Sequence, residues 1–198
     1  MVFWFYDISS VSLAKRWIRF LIPSVRPISR MFRLLDVLST TGSLLLSFIG
    51  VLLCLMGFFV LEHRLGVSIL DVLPNYDLAL VEERMLDYGP EGRSLYAWSA
   101  LTLDVLFPCC YISLAAGFTM RLAGDRSLRF LALTPFIAGL IDIAENVQIW
   151  NMLLSFPQLS GEQVALASAT TSLKHGLVAV MILGMLIVGL DFCRNRFN

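Results

Sequence analysis

Residues 42–61, GSLLLSFIGVLLCLMGFFVL, decide the fold, because they form a long apolar run without a charged side chain. A helix needs about 20 mainly apolar residues to cross the hydrocarbon core of a bilayer. Three further runs reach that length, at about 94–120, 130–155 and 164–190. Lipid offers no partner for a free backbone polar group, so each run is predicted to be a membrane-spanning helix.

Composition supports the same class of protein. The 198 residues are 58% hydrophobic and 15% charged, whereas soluble domains carry about 25% charged residues. The formal net charge is zero, which gives no indication of a nucleic-acid partner. We expect a single membrane domain over 1–198, without a signal peptide, since the first long apolar run begins too far along the chain. The four cysteines form no CxxC pair, and neither a metal site nor a cofactor is predicted.

The charges between the runs predict an orientation. Basic residues precede the first run, separate the second from the third (Arg121, Arg126 and Arg129) and follow the fourth. The segment between the first two runs is acidic, and 156–163 contains no lysine or arginine. By the positive-inside rule, this is a multi-pass protein of the cell membrane with both termini in the cytoplasm.

Two segments outside the runs are predicted to be amphipathic. Residues 1–36 mix aromatic and basic side chains, which is typical of a segment lying on an anionic leaflet; a basic tail that only orients the protein is the alternative. The acidic segment 62–94 is predicted to hold a short external helix that ends at Gly89-Pro90. Its proposed cap is Asn75, and its proposed apolar face is Leu78, Val81, Met85 and Leu86.

Small residues predict how the helices pack, because close approach of backbones drives helix association in lipid. The first run has such a stripe at steps of four and three: Ser43, Ser47, Gly50, Cys54 and Gly57. The predicted fold is therefore all-α: an antiparallel four-helix bundle in the membrane, with the interfacial segment and the external helix attached.

Ionisable residues inside the runs are the candidates for function. They are Asp104, Asp142, Glu145, Lys174 and His175. Each costs about 2.5–3.5 kcal/mol at the centre of a helix on insertion scales, so such residues are functional candidates by default. Counted from the outer ends of their runs, Asp104, Glu145 and Lys174 each lie roughly 14–15 Å deep at 1.5 Å per residue. One polar layer across three helices is predicted.

Helical spacing adds neighbours to this layer. Glu145 and Asn146 share a face of the third run with Asp142, and Thr171 shares a face of the fourth run with Lys174. Tyr111 lies on the same face of the second run as Asp104 and Pro108, and Pro108 frees a backbone carbonyl and is expected to kink that run. His175 lies about 100° round its helix from Lys174, so both side chains cannot face fully inward.

Three carboxyl groups face one certain cation in this layer, Lys174. Either one carboxyl is protonated at neutral pH, or His175 is charged, or a cation binds. The preferred hypothesis is a protein that binds or acts on a lipidic or small polar ligand, with Asp104 or Glu145 as acid or base and Lys174 as their electrostatic partner. The remaining candidates for ligand contact are Tyr111, Asp142, Asn146, Thr171 and His175. This hypothesis requires a cavity that opens laterally or to the outer face.

Two other functions remain open. A transporter coupled to protons or cations would use the same acids, but four helices without an inverted repeat would need to form a homo-oligomer. An accessory or scaffold protein would use the layer only to fix helix register. Membrane lipids are expected partners in every case.

The motifs resemble those of a known family. GxxGRxxY begins at Gly89, DxxFPxxY at Asp104 and DxxEN at Asp142, and a lysine, Lys174, follows in the middle of the fourth run. This order is similar to that of a family of small, four-span membrane proteins of uncharacterised function. The resemblance covers about residues 80–180 of the sequence. It implies the bundle and no particular reaction.

Overall fold

The computed structural model describes residues 35–123 and 126–197, except for the side chains of 126 and 127. Four helical stretches are long and apolar enough to cross a membrane. The elements are α1 (Thr41–Leu65), a 3₁₀ turn (Leu70–Val72), α2 (Leu78–Leu101), α3 (Leu103–Leu122), a 3₁₀ segment (Arg126–Leu133), α4 (Thr134–Ser155) and α5 (Gly161–Phe197). The all-α prediction is confirmed, since the described residues include no strand. Of the predicted interfacial segment 1–36, all but the last two residues lie outside the described part.

Helix α1 has a clear beginning, end and packing face. Thr40 caps it by accepting a hydrogen bond from the Ser43 N–H at 3.4 Å, and Gly66 ends it with a φ of 74°. The stripe of small residues meets α3, because a Cβ at Gly50 would lie 2.6 Å from Cys110 Sγ and one at Gly57 would lie 2.9 Å from Leu103 Cδ2. The predicted packing face is confirmed.

Helix α2 is broken at Gly89, whose φ of 63° and ψ of 175° suit only glycine. The part before the break is the predicted external helix, with two corrections. Asp77 rather than Asn75 caps it, accepting from the Leu80 N–H at 2.9 Å, and Leu86 is exposed rather than part of the apolar face. Val81 and Met85 are fully buried, so this helix closes one end of the bundle.

The second predicted span is not one continuous helix. Thr102, with φ −119° and ψ −73°, separates α2 from α3, whereas α3 continues through Pro108. The break at Thr102, which was not predicted, lies six residues before Pro108, where a kink is expected. The third span enters α4 through the 3₁₀ segment, and α5 extends beyond both predicted ends of the fourth span.

The loop 66–77 is anchored on α5 at the end of the bundle that α2 closes, which we call the Asp71 end. The Tyr76 N–H donates to Ser168 Oγ at 2.9 Å, and Ser172 Oγ donates to the Pro74 carbonyl at 2.9 Å. Apolar packing beneath the loop is dense, since Leu70, Tyr96 and Met152 are completely buried. The loop is thus part of the folded bundle and places its own polar groups against α4 and α5.

Candidate functional site

The Lys174 ammonium lies at the centre of a cluster of carboxylates. Its Nζ atom lies 2.6 Å from Glu145 Oε2 and 3.7 Å from Asp142 Oδ1, and it also forms an ion pair with Asp71. The lysine is 7% exposed and Glu145 is completely buried. We call Asp71, Asp142, Glu145 and Lys174 the Lys174 cluster. Three segments of the chain contribute to it.

Helical spacing explains two of its acids. Asp142 and Glu145 are three residues apart on α4 and therefore point the same way toward α5. The sequence predicted this pair and its contact with Lys174, and the structure brings the three side chains together. A buried charge is costly unless it is paired, so the ion pairs account for the presence of these groups inside the bundle.

Asp71 is the member that sequence reasoning missed. The sequence predicts it only as one of the acids of the outer segment 62–94. In the structure, the 3₁₀ turn carries it into the cluster, where its carbonyl also accepts from Lys174 Nζ at 3.3 Å and its N–H donates to the Tyr96 hydroxyl at 3.4 Å. The signal that could have identified it is the apolar pair Ile69-Leu70 beside it, which is buried within an otherwise acidic loop.

A hydrogen-bond chain links the cluster to the loop. Thr171 Oγ1 lies 2.6 Å from Glu145 Oε1 and 3.1 Å from the Tyr76 hydroxyl. The threonine hydrogen goes to the carboxylate, which can only accept, and the tyrosine therefore donates to the threonine. Burial raises the pKa of Tyr76 to about 12, although its bond with Thr171 acts in the opposite direction. Tyr76 consequently remains a donor at neutral pH.

Asp104 and Asn146 form a second polar contact, between α3 and α4. The Asn146 amide donates to the Asp104 main-chain carbonyl at 2.5 Å. Asp104 is 4% exposed, and within the described part of the chain its Oδ1 atom has no hydrogen-bond partner. Asp104 is therefore a buried carboxyl group outside the ion pairs of Lys174, and not the direct partner of the lysine.

Of two further predicted ligand contacts, His175 lies away from the cluster, whereas the Tyr111 hydroxyl lies beside Asp142. His175 is on the exposed face of α5, where its Nδ1 atom lies 2.8 Å from the Thr171 carbonyl. Because a carbonyl only accepts, Nδ1 carries the hydrogen. Tyr111 is half-buried, and its ring packs against Phe107 with centroids 5.3 Å apart. Thus His175 faces outward, as its angular separation from Lys174 indicated.

The three acids are spaced closely enough to surround a cation. Carboxylate oxygens of Asp71, Asp142 and Glu145 all lie within 4.8 Å of one another. The Lys174 ammonium contacts each of them. The residues that could hold a metal ion are therefore the same ones that hold the lysine, and an added cation would compete with it.

Surface grooves lie around the Asp71 end, and three of them are formed by residues that the structure describes. The Tyr76 groove, of about 390 Å³, lies between the loop and the start of α5 and is lined by Tyr76, Val164, Ser168 and Ser172 among others. The Trp150 groove, of about 490 Å³, lies between α2 and α4. The Arg64 groove, of about 460 Å³, lies between α1 and α2. Of the three, the Tyr76 groove is the one linked to the Lys174 cluster, because Tyr76 hydrogen-bonds Thr171.

Comparisons with known proteins identify no relative. No protein-family model matches the chain, and neither the curated proteins nor the solved structures contain a significant match. The resemblance based on the three motifs therefore remains a prediction.

Proposed function

We propose that this membrane protein binds or acts on a lipidic or small polar ligand whose polar group is held at the Lys174 cluster. The observation that carries this proposal is the excess of acid: three carboxylates surround one ammonium, and Asp104 is buried nearby. A simple ion pair needs one carboxylate. Carboxylates accept hydrogen bonds, so the excess favours a cationic or hydroxyl-bearing group on the ligand.

Each side chain has a role in this proposal. Glu145 or Asp104 acts as acid or base, and Lys174 stabilises the carboxylate form of its partners. Asp142 and Thr171 contact the ligand directly. Asn146 already donates to Asp104 and so holds α3 against α4, while Tyr111 supplies a hydroxyl on the α3 side.

The Tyr76 groove supports a route for the ligand. It reaches Glu145 through two hydrogen bonds, from Tyr76 to Thr171 and from Thr171 to Glu145. A rotation of the Tyr76 side chain would expose the Thr171 hydroxyl to the groove. Asp71, whose side chain is 19% exposed, is the most accessible acid of the cluster.

We further propose that the Asp71 end faces the outside of the cell. The segment 62–94 at this end carries seven acids against three arginines, and 156–163 contains no lysine or arginine, whereas basic residues predominate at the other ends of the helices. The positive-inside rule then assigns both termini to the cytoplasm. A ligand would reach the cluster from the outer leaflet or from the external solution.

A scaffold role is the second candidate, and a specific observation favours it. Lys174 is engaged on three sides by Asp71, Asp142 and Glu145, which fastens the loop to α4 and α5. Buried ion pairs of this kind often fix register with little net stability. A proton- or cation-coupled transporter, as a homo-oligomer, would instead produce flux across liposomes.

Binding in nanodiscs distinguishes the two candidates. The probes are a long-chain primary amine, a long-chain alcohol and a fatty acid of equal length. We expect saturable binding of the amine or the alcohol but not of the fatty acid, and loss of that binding in Glu145→Gln with the fold retained. Asp87→Asn, an exposed acid of α2, is the matched control.

The opposite result would support the scaffold role. In that case none of the three probes binds saturably. Lys174→Met would then lower the free energy of unfolding by about 3–5 kcal/mol, because three carboxylates lose their counter-charge. Glu145→Gln would lower the free energy of unfolding by a smaller amount.

A further inference from the structure

Two of the arginines at the Asp71 end, Arg64 and Arg93, line grooves that are separate from the Lys174 cluster. Arg64 lines the Arg64 groove and Arg93 lines the Trp150 groove, on either side of Trp98. In the described part of the chain, neither guanidinium forms an ion pair with a carboxylate. An arginine without an acidic partner beside an apolar groove is complementary to an anion.

The Arg93 guanidinium is held in a defined position. It donates through Nη1 to the Met85 carbonyl at 2.6 Å and stacks over the Phe156 ring at 4.7 Å from the centroid. The carbonyl contact uses one of the five N–H donors of a guanidinium. The others are available for bidentate contact with phosphate oxygens, which match the planar fork of arginine.

Below Arg93, the lining of the Trp150 groove is mainly apolar. Its walls are formed by Ala97, Trp98, Leu101, Trp150, Leu153 and Leu154. Trp98 is 69% exposed, and tryptophan is enriched where a membrane meets water. From Arg93 to Leu101 the helix rises about 12 Å, close to half of the roughly 30 Å hydrocarbon core. The groove therefore extends from a cationic rim into the depth of one leaflet.

We propose that the Trp150 groove binds one anionic phospholipid, with its phosphate on Arg93 and one acyl chain along Trp98 and Leu153. The lipid would lie between α2 and α4 at the Asp71 end. Arg93 also bridges the Gly89 break, since Met85 lies before it. A bound phosphate would thus be joined through one side chain to both parts of α2. This site uses residues outside the Lys174 cluster and does not depend on the function proposed for it.

Native mass spectrometry of the full chain in detergent tests the site. Phosphatidylglycerol and phosphatidylcholine of equal chain length are titrated separately. We expect one molecule of phosphatidylglycerol to bind more tightly than phosphatidylcholine, and Arg93→Gln to weaken it by at least tenfold, the effect of losing about 1.5 kcal/mol of hydrogen bonding to a charged group. Arg64→Gln, in the neighbouring groove, is the matched control and should leave binding unchanged.

A second variant separates binding from folding, because Arg93 also contacts Met85. Ser94→Trp places a large ring in the groove at an exposed position and leaves Arg93 intact; it should abolish the bound lipid as well. Equal binding by the wild type, Arg93→Gln and Ser94→Trp would overturn the proposal and indicate ordinary annular lipid. Equal weakening by Arg64→Gln, or displacement of the lipid by inorganic phosphate at millimolar concentration, would also overturn it.

Discussion

The side-chain amide of Asn146 donates a 2.5 Å hydrogen bond to the main-chain carbonyl of Asp104. In an uninterrupted helix that carbonyl would accept from residue 108, which is a proline and has no N–H. Asn146 therefore supplies from α4 the donor that α3 lacks. This contact explains how α3 continues through Pro108 inside a membrane, where a free carbonyl has no water to bind.

We expect Asn146→Ala to lower the free energy of unfolding by about 1–3 kcal/mol, because it leaves a buried carbonyl without a partner. In a Pro108→Ala background, the new N–H can bond the Asp104 carbonyl within the helix. The cost of Asn146→Ala should then fall, with a coupling of about 0.5–3 kcal/mol between the two positions. Reversible unfolding in mixed micelles measures both values.

The exposed Asn151 provides the control for that cycle. Asn151→Ala should lower the free energy of unfolding by the same amount whether residue 108 is proline or alanine. If Asn146→Ala also costs the same in both backgrounds, the amide does not compensate for the proline.

Asp71 is expected to hold the loop 66–77 on the bundle. Asp71→Asn removes the charge that faces Lys174, and the ammonium then relies on Asp142 and Glu145. Backbone amides of the loop should exchange with deuterium several times faster, while those of α5 around Lys174 change less. Asp87→Asn, also acidic but exposed, should leave loop exchange unchanged. Equal exchange in the wild type and Asp71→Asn would show that Tyr76 and Ser172 suffice to anchor the loop.

Gly89 and Gly176 should respond to alanine in opposite directions. Gly89 has φ 63° and ψ 175°, a conformation that an L side chain adopts only at a cost of about 1–3 kcal/mol. Gly176 lies within α5, and an added Cβ there would meet nothing within 4 Å. Gly176→Ala is therefore expected to stabilise by about 0.5–1 kcal/mol. Thermal unfolding of both variants in detergent tests this. If Gly89→Ala leaves the stability unchanged, the break in α2 can move to another residue.

Much of the arrangement on single helices could be predicted from the sequence. The spans follow from apolar length, and the shared face of Asp142 and Glu145 follows from a spacing of three residues. The outward position of His175 follows from its angle to Lys174. These relations are local, because the geometry of a helix relates neighbouring residues without reference to any other element.

The positions that depend on contacts between segments could not be predicted in this way. The place of Asp71 in the Lys174 cluster depends on how the loop packs on α5, whereas the cap at Asp77 is a local contact that the choice of Asn75 missed. The resemblance to a four-span family supplied the order of motifs and no contact between them. For Asp104, the sequence predicted the depth in the bundle. It did not predict that this residue is separate from the ion pairs of Lys174.

The sequence by itself determined that four apolar helices carry acids and a lysine into the bundle, because chain length in lipid and helical periodicity are local properties. Only the tertiary structure decided which acids meet Lys174. It brought in Asp71 from a loop and left Asp104 with Asn146. The physical reason is that a buried ammonium requires counter-charges from whichever segments pack around it, and that packing depends on residues far apart in the chain.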